Sequence, residues 1–226
     1  MIRSPWAREY VRTPRRYIWG TEPSSFAREA SRLLPAGAHV LDLGCGEGRD
    51  SVYFAGRGLD VTGLEVSLAG LRKAERLSRD AARAHPGLRL RWVHGAMERL
   101  PVDGPFDLVY SCGSIHYVPR PARARLFARL RALTRPGGYH VHIVFTDRAV
   151  YVEKGEVIDY FVPGELSGFY ADWVILRYEE ASIPCAQDGT PHRHSVEQLV
   201  ARAPGGRIQE RTGLSEPSGA GGAGPR

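Results

Sequence analysis

One short segment constrains the fold more than any other, LDLGCGEGRDS at residues 41–51, which joins an apolar run to a helix-forming run. Its glycines at 44, 46 and 48 allow backbone dihedrals that other residues avoid and let the chain approach a ligand closely. Such a loop, between a strand and a helix N-terminus, is typical of nucleotide-type ligand sites at the carboxyl edge of a sheet. The alternative, a tight turn that binds nothing, is disfavoured by Glu65, because an acidic residue at the end of the next strand can bond a ribose diol.

Strand and helix signals alternate from residue 38 onwards. Apolar runs at 40–43, 61–64, 106–110 and 139–145 predict buried strands, and the alternating run at 88–93 predicts a strand near the sheet edge. Helices are predicted over 49–56, 67–84 and 121–135, the last ended by Gly137-Gly138. Two further strands, 173–178 and 195–203, read as an antiparallel hairpin. The rhythm predicts an α/β domain with a mostly parallel seven-stranded sheet and helices on both faces.

The 226 residues suffice for one domain with an appendage. Residues 1–31, basic and aromatic with several prolines, predict an N-terminal arm or lid of short helices. Residues 32–203 predict the folded domain. The Gly- and Pro-rich residues 204–226 predict a disordered tail.

The net charge of +6 raises the question of nucleic-acid binding. Nearly all of this excess is arginine, with lysine at 73 and 154 alone, and Ala, Gly and Pro are also frequent. We therefore read the charge as compositional bias and do not expect nucleic acid as a partner. Three scattered cysteines argue against a disulfide framework and for the cytoplasm. No apolar run approaches the roughly 20 residues of a membrane-spanning helix, so the expected protein is a soluble monomer or homodimer.

The G-x-G-x-G spacing preceded by Asp42 resembles motif I of class I S-adenosylmethionine-dependent methyltransferases. HGAMERLPV at 94–102 is similar to the adenine-contacting segment of that class, and FDLVYSCGSIHYV at 106–118 to its motif IV. The resemblance implies a Rossmann-like fold and S-adenosylmethionine as cofactor. It also implies roles: Asp42 for the cationic end of the donor, the glycine loop with Arg49 for its carboxylate, and Met97 for its adenine. The full expected cofactor set is Tyr17, Trp19, Asp42, Gly44, Cys45, Gly46, Arg49, Glu65, Val66, Ala96, Met97, Ser111 and Cys112.

The C-terminal half is similar to the tellurite-resistance methyltransferases, a family that borders the thiopurine-type enzymes. The similarity rests on GELSGFYADWVILRYEE at 164–180 and DGTPHRHSVEQLVAR at 188–202. It implies acceptors such as tellurium and selenium oxyanions or small thiols and selenols. Residues 182–185, Ser-Ile-Pro-Cys, stand where that family has a His-Arg pair.

Histidines supply the acceptor-side candidates. His116 lies in the motif IV segment, and its side chain titrates near neutral pH, so we expect it to act as general base and to contact the substrate. Tyr117, His192 and His194 are expected to bind substrate as well. His192 and His194 share a strand face, and a metal site would need a third ligand such as Cys185 or Asp188. Because two histidines at strand spacing are usually surface or pocket residues, we expect no metal.

These observations favour methyl transfer from S-adenosylmethionine to a small molecule, either a secondary metabolite or a thiol or chalcogen compound. Two alternatives stay open: an RNA or protein methyltransferase, and a donor-binding protein without turnover. Methylation of a base amino group is not expected, because residues 114–117 read Ser-Ile-His-Tyr where such enzymes carry Asn/Asp-Pro-Pro-Tyr/Phe.

Overall fold

The computed structural model describes residues 5–149, 156, 158–186 and 189–205. A single sheet of seven strands runs through it in the order β3-β2-β1-β4-β5-β7-β6. The strands are β1 (His39–Leu43), β2 (Asp60–Glu65), β3 (Arg89–His94), β4 (Phe106–Cys112), β5 (Thr134–Thr146), β6 (Val174–Cys185) and β7 (His192–Arg202). The first five pair in parallel, whereas β7 runs antiparallel to β5 and β6. The predicted sheet and C-terminal hairpin are confirmed.

Helices cover both faces of the sheet because successive strand residues point to opposite sides. Leu41 of β1 belongs to one apolar cluster together with Phe127, and the neighbouring Val40 belongs to a second with Phe54. The helices are α1 (Pro5–Arg12), α2 (Ser25–Ser31), α3 (Arg49–Gly56), α4 (Leu68–Ala82), α5 (Arg120–Ala132) and α6 (Glu165–Gly168), with a 3-10 turn at Ile115–Tyr117. The longest, α4, has 15 residues, and within the described chain no helix has the length and apolar character of a membrane span.

The expected helix end at Gly137-Gly138 is wrong. Helix α5 ends at Ala132, and both glycines lie inside β5. The register explains this: Phe106 pairs with Thr134, but Leu108 already pairs with Tyr139, so an irregularity takes up the intervening residues. Gly137 has a positive φ of 77°, which suits a bulge of this kind.

The two helices of the predicted N-terminal arm pack against different parts of the structure. Helix α1 packs beside α4, whereas α2 buries Phe26, Ala27 and Ala30 in the same core cluster as α3. The Ser24 side chain caps α2 by accepting a hydrogen bond from the Ala27 amide. Residues 24–31 are thus packed as part of the main body. Of the predicted tail, residues 206–226 lie outside the described residues.

Candidate functional site

One cavity lies where the strand order reverses. β1 leads to β2 and β3 on one side of the sheet and is flanked by β4 and β5 on the other, which makes the β1–β4 boundary a switch point. A cavity of about 360 Å³ is lined there by the loops that follow β1, β2, β3 and β4. Thirteen of the sequence-predicted residues line it: Trp19, Asp42, Gly44, Cys45, Gly46, Arg49, Glu65, Val66, Ala96, Met97, Cys112, Tyr117 and His194.

The glycine loop forms the floor of this cavity and tolerates no side chain at two positions. Gly44 has φ of 66°, and a Cβ there would lie 2.5 Å from the Cβ of Ser114. Gly46 has φ of 56°, and a Cβ there would lie 2.7 Å from the Tyr10 hydroxyl. Both positions therefore favour glycine for two reasons: the backbone is left-handed, and a Cβ would lie too close to a neighbouring side chain.

The loop amides are already engaged inside the protein. The Gly44 and Cys45 amides donate to the Leu64 carbonyl at 2.8 and 3.1 Å. The Gly46 amide donates to Glu65 Oε2 at 3.0 Å. These bonds differ from the expectation that the backbone of residues 44–46 meets a donor carboxylate, because the same N–H groups fix the loop to β2.

Two buried carboxylates flank the loop. Glu65 also accepts the Ser67 amide at 2.8 Å, and burial raises its pKa despite these backbone bonds. Asp42 is 3% exposed and accepts the Ser51 hydroxyl at 2.6 Å. Burial raises the pKa of Asp42 to about 7, the bond from Ser51 lowers it, and the nearby Asp50 raises it further. A cation beside Asp42 would restore the charged form, since an opposite charge offsets the cost of desolvation.

An aromatic wall from the N-terminal arm closes the cavity. The Trp6 and Trp19 rings lie 4.6 Å apart, and Trp6 Nε1 donates to the Tyr117 hydroxyl at 2.7 Å. Trp19 Nε1 donates to the Tyr10 hydroxyl at 3.2 Å. Sequence reasoning missed Trp6 and Tyr10, although the Trp6–Tyr10 spacing on a helix was the available signal, because residues four apart share a face.

Arg49 holds the arm in place. Its Nη1 donates to the Trp19 carbonyl at 3.0 Å and its Nε to Asp50 Oδ1 at 3.1 Å. The Trp19 amide in turn donates to Glu47, which forms a buried ion pair with Lys73. Arg49 thus lines the cavity, but its side chain is hydrogen-bonded to Trp19 of the arm and to Asp50. Its expected contact with the donor carboxylate stays a prediction.

Four predicted residues do not line the cavity that the described residues form: Tyr17, Ser111, His116 and His192. The Tyr17 hydroxyl donates to the Lys73 carbonyl at 3.1 Å and accepts from Arg76 at 3.2 Å. Ser111 alternates with Cys112 on β4 and instead bonds His142 Nδ1 at 2.8 Å. His192 lies at the start of β7, with its ring nitrogen against His194.

His116 sits one layer behind the cavity wall. Its ring is fully buried and stacks on Phe145 at 4.2 Å, and Phe145 itself lines the cavity. Its Nδ1 accepts the Phe145 amide at 3.3 Å, while its Nε2 has no hydrogen-bond partner among the described residues. Burial, and then the proximity of His194, lowers the pKa of His116 well below its ordinary value. Because His116 is not among the residues that line the cavity, this geometry gives no support to its predicted role as general base.

Two of the three cysteines that line the cavity, Cys45 and Cys112, are thiols at neutral pH. Burial raises the pKa of Cys112 to about 12 and that of Cys45 well above its ordinary value. A reactive cysteine needs a lowered pKa, so both act as small packing groups in the wall. For Cys112, where the sequence left packed and reactive roles open, the raised pKa favours packing.

Comparison with known proteins agrees with this geometry. Residues 40–138 match a family model described as a methyltransferase domain. This match identifies residues 40–138 as similar to a methyltransferase domain. The segment carries the glycine loop, Glu65 and the motif IV residues, and S-adenosylmethionine is the cofactor of this class.

Curated relatives match over different lengths of this chain. Hemagglutinin 1 of Eikenella corrodens is 28% identical over 188 residues, which is 82% of this chain and 61% of the relative. Trans-aconitate 2-methyltransferase of Deinococcus radiodurans is 38% identical over 119 residues, 51% of this chain and 42% of the relative. The chain thus spans less than two thirds of the length of either relative.

Among solved structures, TehB from Haemophilus influenzae superposes with a TM-score of 0.71 at 19% identity. The match covers 88% of this chain and 65% of TehB. At this identity the likeness shows the fold alone. Other structures that share the fold contain S-adenosylmethionine or S-adenosylhomocysteine.

Proposed function

We propose that this chain transfers a methyl group from S-adenosylmethionine to a small-molecule acceptor. The observation that carries the proposal is the pair of buried carboxylates, Asp42 and Glu65, on either side of a glycine loop in one cavity. A buried carboxylate with a raised pKa is a costly arrangement unless a ligand compensates it. A ligand with both a cationic end and a hydroxylated ribose matches the two groups.

The residues present fit the donor along the whole cavity. Asp42 would hold the ammonium end, since its pKa near 7 falls when a cation binds. Glu65 would accept from the ribose hydroxyls with the lone pairs that its two backbone bonds leave. Ala96 and Met97 supply an apolar surface for the adenine ring. When bound, S-adenosylmethionine supplies a methyl group activated by its positive sulfonium.

The chain's own contribution is positioning and exclusion of water. Trp6, Tyr10 and Trp19 seal one side of the cavity, and Phe145 and Tyr117 form part of the acceptor side. Holding two reactants in line in a dry site can lower a barrier by several kcal/mol. Aromatic faces near a sulfonium also stabilise its charge by about 0.5–2 kcal/mol.

The size of the cavity, about 360 Å³, favours a small acceptor over a macromolecule. Beyond the donor residues the cavity is bounded by Ile143, Phe145 and His194, and by the hairpin residues 183–186. This boundary leaves room for a compact molecule. The similarity to trans-aconitate 2-methyltransferase supports a compact, small-molecule acceptor. We further propose a cytoplasmic protein, because none of its three cysteines forms a disulfide bond, and a monomer or homodimer that does not bind nucleic acid.

Calorimetric titration of the purified chain with S-adenosylmethionine and with S-adenosylhomocysteine tests the donor site. We expect micromolar binding, and a loss of more than about tenfold in the Asp42→Ala/Glu65→Ala double variant, since charged hydrogen bonds contribute about 1.5–3 kcal/mol each. Glu75→Gln, on the exposed side of α4, is the matched control and should bind like the wild type. Normal binding by the double variant would refute the site.

A screen with isotopically labelled donor then tests the reaction. Thiols, phenols, amines, carboxylates and oxyanions are offered separately, with a mixed RNA and a protein extract as macromolecular arms. Label transfer to a small molecule supports the proposal. Transfer to RNA or protein alone, or donor binding with no transfer to any class, contradicts it.

A further inference from the structure

Three metal-binding side chains converge at the hairpin end of the cavity. The sulfur of Cys185 and one ring nitrogen each of His192 and His194 lie within 4.8 Å of one another. Cys185 and His194 line the same cavity as the glycine loop, and His194 is 1% exposed. Cys185 lies on β6 and the two histidines lie on β7, so the β6–β7 hairpin brings the group together.

Strand register fixes the three side chains on one face. In the β6–β7 pair, Cys185 stands directly opposite His192, and Ile183 stands opposite His194. Residues directly opposite in an antiparallel pair share a face, and so do residues two apart on one strand. Cys185, His192 and His194 therefore point to the same side of the sheet by construction and not by a chance side-chain rotation.

Hydrogen bonds orient one ligand nitrogen toward the cluster. His192 Nδ1 lies 2.6 Å from the Thr190 carbonyl oxygen, which can only accept, so Nδ1 carries the proton. In the neutral ring Nε2 then bears the lone pair, and it lies 2.9 Å from His194 Nε2. A ring nitrogen fixed by a backbone carbonyl on its far side is the arrangement that metal-ligating histidines commonly show.

The three donor atoms need only small movements to reach the distances of a tetrahedral zinc site. With Zn–S of about 2.3 Å and Zn–N of about 2.0 Å, tetrahedral donors lie roughly 3.5 Å apart. The observed separations, from 2.9 Å to within 4.8 Å, differ from that value by about 1 Å. Phe145 stacks on the His194 ring at 3.9 Å and limits its movement, so Cys185 and His192, both only partly buried, would make most of the adjustment.

We propose that Cys185, His192 and His194 bind one divalent ion of the zinc class at the acceptor end of the cavity. One thiolate with two imidazoles is a donor set that selects borderline ions such as Zn²⁺ over Mg²⁺ or Ca²⁺. Three protein ligands leave a tetrahedral ion one position for a ligand from the cavity. This proposal departs from our sequence-based expectation of no metal. The sequence supplied the His192–His194 spacing, and Cys185 was one of two possible third ligands, while the other, Asp188, lies outside the described residues.

The test uses the full chain stripped with a chelator and desalted, without donor or acceptor. Calorimetric titration with Zn²⁺ and native mass spectrometry should show one ion per chain with a dissociation constant of about micromolar or below. Titration with Co²⁺ should give a thiolate-to-cobalt charge-transfer band. Cys185→Ser should remove that band, and Cys185→Ser and His192→Gln should each weaken Zn²⁺ binding by more than about tenfold.

His85→Gln, which changes an exposed histidine at the end of α4, should bind Zn²⁺ like the wild type. Absence of stoichiometric Zn²⁺ binding, or equal affinity in the Cys185 and His192 variants and in the wild type, would overturn the proposal. Circular dichroism of each variant establishes that it is folded. A parallel titration with S-adenosylhomocysteine keeps the two proposals separate, because the donor site can succeed where the metal site fails.

Discussion

The two ends of the cavity are built in different ways. The donor end is built mainly from residues 42–49 and Glu65, which lie at the ends of the central strands β1 and β2 and in the loop after β1. The acceptor end draws Tyr117, Phe145, Cys185 and His194 from a 3-10 turn and three strands. The donor end is thus determined by local backbone geometry, whereas the acceptor end depends on long-range register. Variants at the two ends should therefore fail in different ways.

The largest effect is expected at the glycine loop. Gly44→Ala combines a left-handed backbone, which costs about 1–2 kcal/mol for a non-glycine residue, with a Cβ 2.5 Å from Ser114. Overpacking adds about 1–3 kcal/mol. We expect urea unfolding to show a loss of about 2–5 kcal/mol, and donor affinity to fall about 100-fold, since small displacements in a positioned site have effects of that order.

Gly58→Ala is the matched control for that variant. Gly58 has a positive φ of 81°, but a Cβ there meets no heavy atom within 4 Å. It should show the backbone penalty of about 1–2 kcal/mol and unchanged donor affinity. If both variants bound the donor equally well, steric exclusion at Gly44 would not be what shapes the donor end.

The next effect is a pH dependence of donor binding through Asp42. With a pKa of about 7 in the ligand-free protein, Asp42 holds a proton below neutral pH that must leave before it can pair with a cation. Affinity for S-adenosylmethionine should rise with pH up to about 7 and level off above it. A decrease of about tenfold from pH 7.5 to pH 6 is expected. Asp42→Asn should bind weakly and with less pH dependence, as measured by calorimetry across this range.

The raised pKa of Asp42 should also make the free energy of unfolding depend on pH. Its pKa is raised from 3.8, so between about pH 4 and 7 the folded state retains a proton that the unfolded state has released. Stability must therefore decrease as the pH rises through this window. Asp42→Asn should remove that part of the slope and be more stable than the wild type at pH 8. The exposed Asp103→Asn is the control, and an identical slope in wild type and Asp42→Asn would contradict this assignment.

These residues show how much of the fold and of the candidate site can be predicted from the sequence. The alternation of strands and helices, the glycine loop and Glu65 follow from periodicity and motif spacing, because these patterns are local in the sequence. Trp6 and Tyr10 replace Tyr17 at the cavity because α1 docks on α4 with one particular face, which depends on tertiary packing. His116 turns inward because the 3-10 turn at Ile115–Tyr117 buries it while Tyr117 lines the cavity. The pairing of Cys185 with His192 depends on hairpin register, which spacing alone does not determine.

A smaller effect is expected for the aromatic wall, which joins the two ends. Trp19→Ala removes the contact with the Trp6 ring and the bond to Tyr10. Loss of an aromatic pair and of the surface that covers the donor should cost about 1–1.5 kcal/mol, or roughly tenfold in donor affinity by calorimetry. Tyr17→Phe, a change outside the cavity, should leave affinity unchanged. If Tyr17→Phe weakened donor binding more than Trp19→Ala did, Tyr17 and not Trp19 would belong to the donor site.

The smallest effect is expected at His116, where the comparison of the two ends is sharpest. A general base contributes about 10²–10⁴-fold to a rate, so its removal from the acceptor end would be unmistakable. His116 is instead buried behind Phe145, with a pKa well below its ordinary value, and is neutral throughout the physiological range. Once an acceptor is found, His116→Gln should change kcat/KM by less than about threefold, against the 10²–10⁴-fold loss expected of a base, and should leave the pH profile in place. A loss of 100-fold or more in a folded variant, with the profile flattened, would return His116 to the reaction.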